Sequence, residues 1–415
     1  MSKTRVHKSK IGQSLCVLAL CMTSAAHGAS LVGKLVVVGD SLSAGFQNFS
    51  LFDDSGASIF LGNPPQPIPY TGGQNWGYAQ QIARQARAEL NLPLITWPGI
   101  PPAIGSGRTD LGARENTQIQ TSDLSVPGYL LGDALGRIVD TSTFTPGSMN
   151  VIDLMAFDVL AYPSINNFNL FTTCGVVPLS TTRFLLSEAA CAIKQQPDTL
   201  IVWVGNNDAL QALTSGAPPT DPQVFATQYE LLLATLKASG AKLVIANVPD
   251  VTHLPFLIQC PGGSYVVPKL ADPPGPSDLP NACSGTDAHF TQIDGSLVMQ
   301  AQNAVLAYNT TIAAEAKQFG ATLVDVYSLF KNVHQNGYPL GTATLEDGPG
   351  GGLFSLDLIH PTNTGYAILA NTFISAMNKA IQPKSARIPL VCVNQVAVTD
   401  RLVSANGIPV TGCVQ

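Results

Sequence analysis

Leu35-Val-Val-Val-Gly-Asp-Ser-Leu-Ser43 decides how the rest of the chain is read. Residues 35–38 are a short, unbroken apolar run of one leucine and three valines. That is the pattern of a strand buried on both faces. The Gly-Asp-Ser that follows is turn chemistry, so Ser41 lies just past the carboxyl end of a strand. Similar runs recur at 199–204, 242–247 and 322–326. Between and after them, helices are expected over 75–90, 221–239, 293–319 and 363–381. Gly240 and Gly320 stand as stop signals, and Pro383 lies beyond the last helix. Strands alternating with helices predict an α/β fold, a three-layer α/β/α sandwich around a central parallel sheet. Such sheets bind and react at loops beyond the carboxyl ends of their strands. Ser41 falls there, and so does Asn206-Asn-Asp208 after the second strand.

One catalytic domain is expected over residues 30–383. Residues 91–127, rich in Pro, Gly, Ser and Thr, read as loop. Segments 143–195 and 255–290 read as insertions. The extension 384–415 reads as a small β appendage held by cysteines. The 415 residues are ample for a large core. Hydrophobic residues make up 45% and charged residues 12%, which excludes a disordered chain. The net charge of -6, with no basic stripe interleaved with aromatics, excludes a nucleic-acid binder.

Residues 1–29 read as a secretory signal. Lys3, Arg5, Lys8 and Lys10 are its positive start, residues 11–22 its apolar stretch, and the small residues to Ala29 its cleavage region. A secreted or periplasmic protein is expected. Six cysteines remain after this segment, an even number that suits disulfides in an exported chain. The local pairing Cys174–Cys191, Cys260–Cys283 and Cys392–Cys413 is expected because each pair brackets one loop-like segment. Each bridge closes a loop of about twenty residues, nominally worth roughly 3 kcal/mol.

Four motifs stand in order: Gly39-Asp-Ser-Leu42, Pro127-Gly128, Gly205-Asn-Asn-Asp208 and Asp357-Leu-Ile-His-Pro361. The first, third and fourth each resemble a signature block of the SGNH (GDSL) hydrolase family. The fourth block continues into Thr364-Gly-Tyr366 and a helix, as in that family. The resemblance covers about residues 34–382. It implies the flavodoxin-like SGNH hydrolase fold and a serine carboxylic ester hydrolase, an esterase or lipase working through an acyl-enzyme. Ser41 is then the nucleophile, His360 the base that takes its proton, and Asp357 the acid that orients the imidazole. The resemblance places the oxyanion donors at the backbone N–H of Ser41, the backbone N–H of Gly128 and the side-chain amide of Asn207. Gly107 and Gly132 compete with Gly128, because the second block is little more than a glycine. An imidazole base must be neutral to act, so activity is expected at neutral to mildly alkaline pH.

Other residues carry blander expectations. Asp40 holds the turn, and Asp208 braces its own. His253, His289 and His334 are surface or loop histidines. None has a second His or Cys at ligand spacing, so no metal and no other cofactor is expected. Trp76, Trp97 and Phe354 are packing residues before they are pocket lining. The expected partner is a small-molecule or lipid ester, with contact to a membrane or polymer surface left open and a monomeric state. An acyltransferase, a carbohydrate deacetylase or a non-catalytic binding protein would retain the same fold.

Overall fold

The computed structural model describes residues 30–54, 56–61, 66–137, 139–140, 150–161, 177–179, 182–270, 274, 278–381, 383–404 and 406–408. The expected signal segment lies outside them. The core is a four-stranded parallel sheet of β1 (Leu35–Gly39), β2 (Thr199–Trp203), β3 (Lys242–Ala246) and β4 (Thr322–Val324), in that spatial order. β1 and β2 are buried at every position, which is why their sequences are continuous apolar runs rather than alternating ones.

Residues 122–126 extend this sheet on the free side of β1. Val37 and Asp123 form a parallel bridge. The Val37 N–H donates to the Ser122 carbonyl at 2.8 Å, and the Leu124 N–H donates to the Val37 carbonyl at 2.9 Å. In chain order the five segments therefore lie 2-1-3-4-5, the flavodoxin-like arrangement. Its strand order reverses around the first strand, which opens a crevice beside the turn that carries Ser41.

Helices cover both faces. α1 (Tyr78–Ala86) packs on α9 (Asn363–Ala380). A second layer is built from α2 (Leu131–Gly136), α4 (Glu188–Lys194), α6 (Pro222–Lys237) and α7 (Gly295–Phe319). The remaining helices are α3 (Val151–Leu160), α5 (Asn206–Thr214), α8 (Val326–Asn336) and α10 (Val393–Thr399). The expected helix 75–90 is shorter in the structure: a 3-10 turn, Gly73–Trp76, precedes α1, and Arg87 ends it in a left-handed conformation. The segment read as the insertion 143–195 holds α4, which packs directly on β1. The segment 255–290 holds most of a small antiparallel sheet of Ile258–Gln259, Tyr265–Pro268 and Phe290–Ile293.

Cys260 and Cys283 are bridged as expected. Cys191 and Cys392 are also disulfide-bonded. Cys174 and Cys413, their expected partners, lie outside the described residues. No helix among the described residues is long and apolar enough to cross a membrane.

The extension past residue 383 is not a β appendage over its described part. It is a strap that runs antiparallel along α9. The side chain of Asn378 bonds both the N–H and the carbonyl of Ile388, and that of Asn371 does the same for Val391. α10 follows, packed on α9, and Asp400 then meets the opposite end of that helix. The Asp400 carboxylate accepts from the Thr364 N–H at 2.9 Å and from its hydroxyl at 2.8 Å. A carboxylate on a first-turn N–H satisfies an orphan donor and opposes the helix dipole, beside the N-cap Thr362 that takes the Gly365 N–H. The β expectation failed because Asn371 and Asn378 offer amide partners that a sequence pattern does not reveal. Asp400→Ala is expected to lower unfolding stability by about 2 kcal/mol, since a cap is lost and buried donors are left open. Urea titration of the full chain measures it, and a change under a few tenths of a kcal/mol would refute this role for the strap.

Candidate active site

The turn after β1 is set by Asp40. One carboxylate oxygen accepts from the Leu42 N–H at 3.1 Å, and the other accepts from the side chain of Asn206 at 2.8 Å. The backbone then makes one helical turn, with the Ser43 and Ala44 N–H groups on the Asp40 carbonyl. Ser41 sits at its head, buried but at the carboxyl edge of the sheet.

His360 arrives from the opposite end of the chain, in the loop before α9. That loop is tied across its base: the Ser355 N–H donates to the His360 carbonyl, and the Thr362 N–H donates to the Leu353 carbonyl. Ser41 Oγ lies 2.8 Å from His360 Nε2, and His360 Nδ1 lies 2.9 Å from Asp357 Oδ2. A carboxylate facing Nδ1 requires the proton there, which leaves Nε2 as the acceptor for the serine hydroxyl. The structure thus brings together all three residues that the motifs single out.

Asp357 accepts four hydrogen bonds. Oδ1 takes the backbone N–H groups of Ile359 and His360 at 2.9 and 2.8 Å. Oδ2 takes His360 Nδ1–H and the Phe49 N–H, the latter at 2.6 Å. Burial alone would raise this carboxyl; the facing imidazole and these bonds outweigh it and hold it below its ordinary value. The Phe49 bond comes from a tight turn in which the Gln47 and Ser50 N–H groups each donate to the other's carbonyl. Asn48 and Phe49 both have positive φ, 49° and 57°, as a type I′ turn demands. The same turn grips the acid's loop, because Asn48 Oδ1 accepts from the Leu356 N–H at 3.1 Å. The Phe46 ring packs 4.8 Å from the His360 ring. Nothing in the motifs announces this clasp.

The second and third motifs meet at the same edge. Asn207 Nδ2 donates to the Tyr129 carbonyl at 2.9 Å, which leaves its second amide proton for another acceptor. Asp208 accepts from the Leu131 N–H at 2.8 Å and so ties α5 to α2. Gly128 adopts φ +84°, a left-handed conformation that favours glycine. Among the described residues, the N–H groups of Ser41 and Gly128 are taken up by no backbone acceptor. Gly132 lies inside α2, where an added Cβ would meet Gln228, and one on Gly107 would meet the Phe60 ring.

A family model, GDSL-like Lipase/Acylhydrolase, matches residues 35–373. The chain belongs to the GDSL-like lipase/acylhydrolase family. No curated protein matches it. Solved structures similar to this GDSL family member include LAE5, described as an alpha/beta hydrolase enzyme from the metagenome of Lake Arreo, Spain. It has 14% identity over 85% of this chain and 97% of that one, with a TM-score of 0.39. A putative GDSL-like lipase from Parabacteroides merdae has 12% identity over 85% and 98%, with a TM-score of 0.37. A variant of an acetyl xylan esterase from Geobacillus stearothermophilus has 14% identity over 86% and 98%, with a TM-score of 0.38.

The remaining polar residues of this GDSL family member sort by position. His253 and His334 stack with ring centroids 4.0 Å apart, and His334 Nδ1 lies 2.7 Å from Asp347. Asp278, Asp287 and His289 form a cluster whose ligand atoms lie within 4.8 Å of one another, and none belongs to the triad. Trp97 packs edge-on to Phe52, Trp76 donates to Asp54, and Phe354 packs against Phe330. An apolar recess lined by Phe49, Ile104, Phe256, Leu270, Leu356 and Leu358 flanks Asp357.

Three buried carboxyls underlie the Ser41 turn of this GDSL family member. Burial pushes Asp40 up to about 6 and Asp123 up to about 7, and raises Glu188 well above its ordinary value. Such groups stay protonated in the folded state at pH values where the unfolded chain has released its protons. Their stabilisation is therefore full below the ordinary carboxylate range and is lost as pH rises through about 6 and 7. Unfolding free energy is expected to be higher near pH 5 than near pH 8, by on the order of 3 kcal/mol. Urea titrations at the two pH values measure the difference, and the opposite sign would overturn this account.

Proposed function

We propose that this protein is an exported serine carboxylic ester hydrolase. The observation that carries the proposal is the continuous chain of hydrogen bonds Ser41 Oγ–His360 Nε2 and His360 Nδ1–Asp357 Oδ2, at 2.8 and 2.9 Å. Ser41 Oγ attacks the acyl carbonyl while His360 Nε2 takes its proton. Asp357, held by four donors, stays ionised and stabilises the imidazolium. The tetrahedral oxyanion lies against the N–H groups of Ser41 and Gly128 and the spare amide proton of Asn207. His360 then protonates the departing alcohol. Water, deprotonated by the same imidazole, attacks the acyl-enzyme and releases the acid and free Ser41.

The low share of charged residues, 12%, favours esters with an apolar acyl or alcohol part over polar sugar acetates. Export rests on residues 1–29 together with disulfide-bonded Cys191, Cys260, Cys283 and Cys392. The exported chain acts on a small-molecule or lipid ester.

The test is hydrolysis of p-nitrophenyl esters of graded acyl length by the wild type and by Ser41→Ala, together with labelling by an organophosphonate. Wild-type turnover rising with acyl length, stoichiometric labelling and loss of both in the variant are expected. Activity retained by Ser41→Ala would overturn the assignment. Ester product in the presence of an added alcohol, exceeding free acid, would instead assign an acyltransferase.

A further inference from the structure

The carboxyl of Glu188 is fully buried and is not part of the proposed reaction. It stands in the first turn of α4, just after Ser187, whose side chain caps that helix. Oε2 accepts from the Gly39 N–H at 3.0 Å, and Oε1 accepts from the Val126 N–H at 3.1 Å. Gly39 precedes Ser41 by two residues, and Val126 precedes Gly128 by two. One side chain therefore spans the two backbone segments that carry the two backbone oxyanion donors.

The place at which it does so is informative. Residues 122–126 and β1 are joined by short ladder bonds as far as Leu124. The last bond, Val126 N–H to the Gly39 carbonyl, has lengthened to 3.3 Å. Beyond it the chains must part, because paired strands lie only about 4.8 Å apart and leave no room for a substrate oxygen between them. The two N–H groups at the fork need acceptors that sheet pairing alone supplies poorly. A carboxyl is a rigid plane whose two oxygens retain acceptor capacity for one N–H each even when the group is protonated. Burying this group is costly, and Asp40 and Asp123 nearby add to the cost. An apolar residue would avoid that cost but would leave the Gly39 N–H open and the Val126 N–H with only its long bond to the Gly39 carbonyl.

Resting on the ester-hydrolase reading above, we infer that Glu188 is a positioning residue of the oxyanion hole. It holds the Ser41 and Gly128 segments at the separation that a tetrahedral intermediate requires. The triad itself does not depend on it, since no bond joins Glu188 to Ser41, His360 or Asp357 among the described residues.

The test uses the full chain with Glu188→Ala and Glu188→Gln, and with wild type and Ser41→Ala alongside. In the alanine variant kcat for a short p-nitrophenyl ester is expected to fall about 100-fold, comparable to loss of one oxyanion donor. KM is expected to stay within about threefold, and the acidic limb of the kcat/KM profile, set by the base, to stay in place. Glutamine keeps one acceptor, so its loss of kcat is expected to be nearer 10-fold. Inhibition by phenylboronic acid, which forms a tetrahedral adduct on serine, is expected to weaken in parallel with kcat. A folded alanine variant with kcat within about threefold of wild type would overturn the inference, as would a shifted acidic limb or a glutamine variant no better than alanine. Should the alanine variant not fold, the glutamine variant decides by the same readouts. If Ser41→Ala is inactive while both Glu188 variants are fully active, this inference alone falls. If Ser41→Ala is active, the hydrolase reading falls and takes this inference with it.

Discussion

His360→Ala is expected to lower kcat for ester hydrolysis by about 10⁶-fold, and the double variant Ser41→Ala/His360→Ala to lose no more than either single one. The reason lies in the bond at 2.8 Å between Ser41 Oγ and His360 Nε2. A serine hydroxyl is a poor nucleophile at neutral pH, and it attacks only as its proton leaves for the imidazole. Each group is useless without the other, so their removal cannot add. What remains in all three variants is substrate binding and the proposed oxyanion donors at Ser41 N–H, Gly128 N–H and Asn207. Initial rates of the three variants on one activated ester, corrected for the uncatalysed reaction, measure the comparison. A double variant slower than both singles by a further factor of 100 or so would show independent action and sink the triad assignment.

Asp357→Asn is expected to lower kcat by about 10⁴-fold and to weaken the fold as well. The carboxylate takes the Ile359 and His360 N–H groups on one oxygen and His360 Nδ1–H with the Phe49 N–H on the other. An asparagine has a single acceptor oxygen. If that oxygen keeps the two backbone N–H groups of the loop, its NH₂ faces the Phe49 N–H and His360. The imidazole then has to present a bare Nδ1 and place its proton on Nε2, where it can no longer accept from Ser41. If the amide turns the other way, the loop that carries His360 loses its own backbone bonds. Unpaired buried donors cost roughly 1–3 kcal/mol each, so a drop of about 2 kcal/mol in unfolding free energy accompanies the kinetic loss. The variant should also lose an acid limb of stability. In the wild type Asp357 is held below its ordinary value of 3.8, so its contribution is full above that value and disappears as pH falls through the folded one. Kinetics at neutral pH and urea titrations across about pH 2 to 5 test both parts. More than about a tenth of wild-type kcat in a folded variant would refute the role given to this carboxylate.

Much of this site was legible in the chain. The strands at 35–38, 199–204, 242–247 and 322–326 were legible because burial on both faces leaves a continuous apolar run. The pairing of Asp357 with His360 was legible because three residues of one loop hold both groups. The position of Asn207 at the same edge was legible because its motif directly follows a strand. The strand-like segment 122–126 was not, since it holds the polar Ser122, Asp123 and Ser125 and takes its extended form from the edge of β1. The tail was misread for a similar reason: its course is dictated by Asn371 and Asn378 on α9.

The sequence by itself determined which residues carry reactive groups and on which side of the sheet they emerge. Those properties depend on residue type, short spacing and the period of the apolar pattern, all local to the chain. Only the tertiary structure decided what holds those groups in place. Glu188 under the fork of β1, the turn of Asn48 and Phe49 against Asp357, and Asp400 at the start of α9 all act across long stretches of chain. A lone glutamate on a helix, a phenylalanine in a turn and an aspartate in a tail have no sequence signal. Their meaning arises when packing brings a particular pair of N–H groups within 3 Å or so of an oxygen.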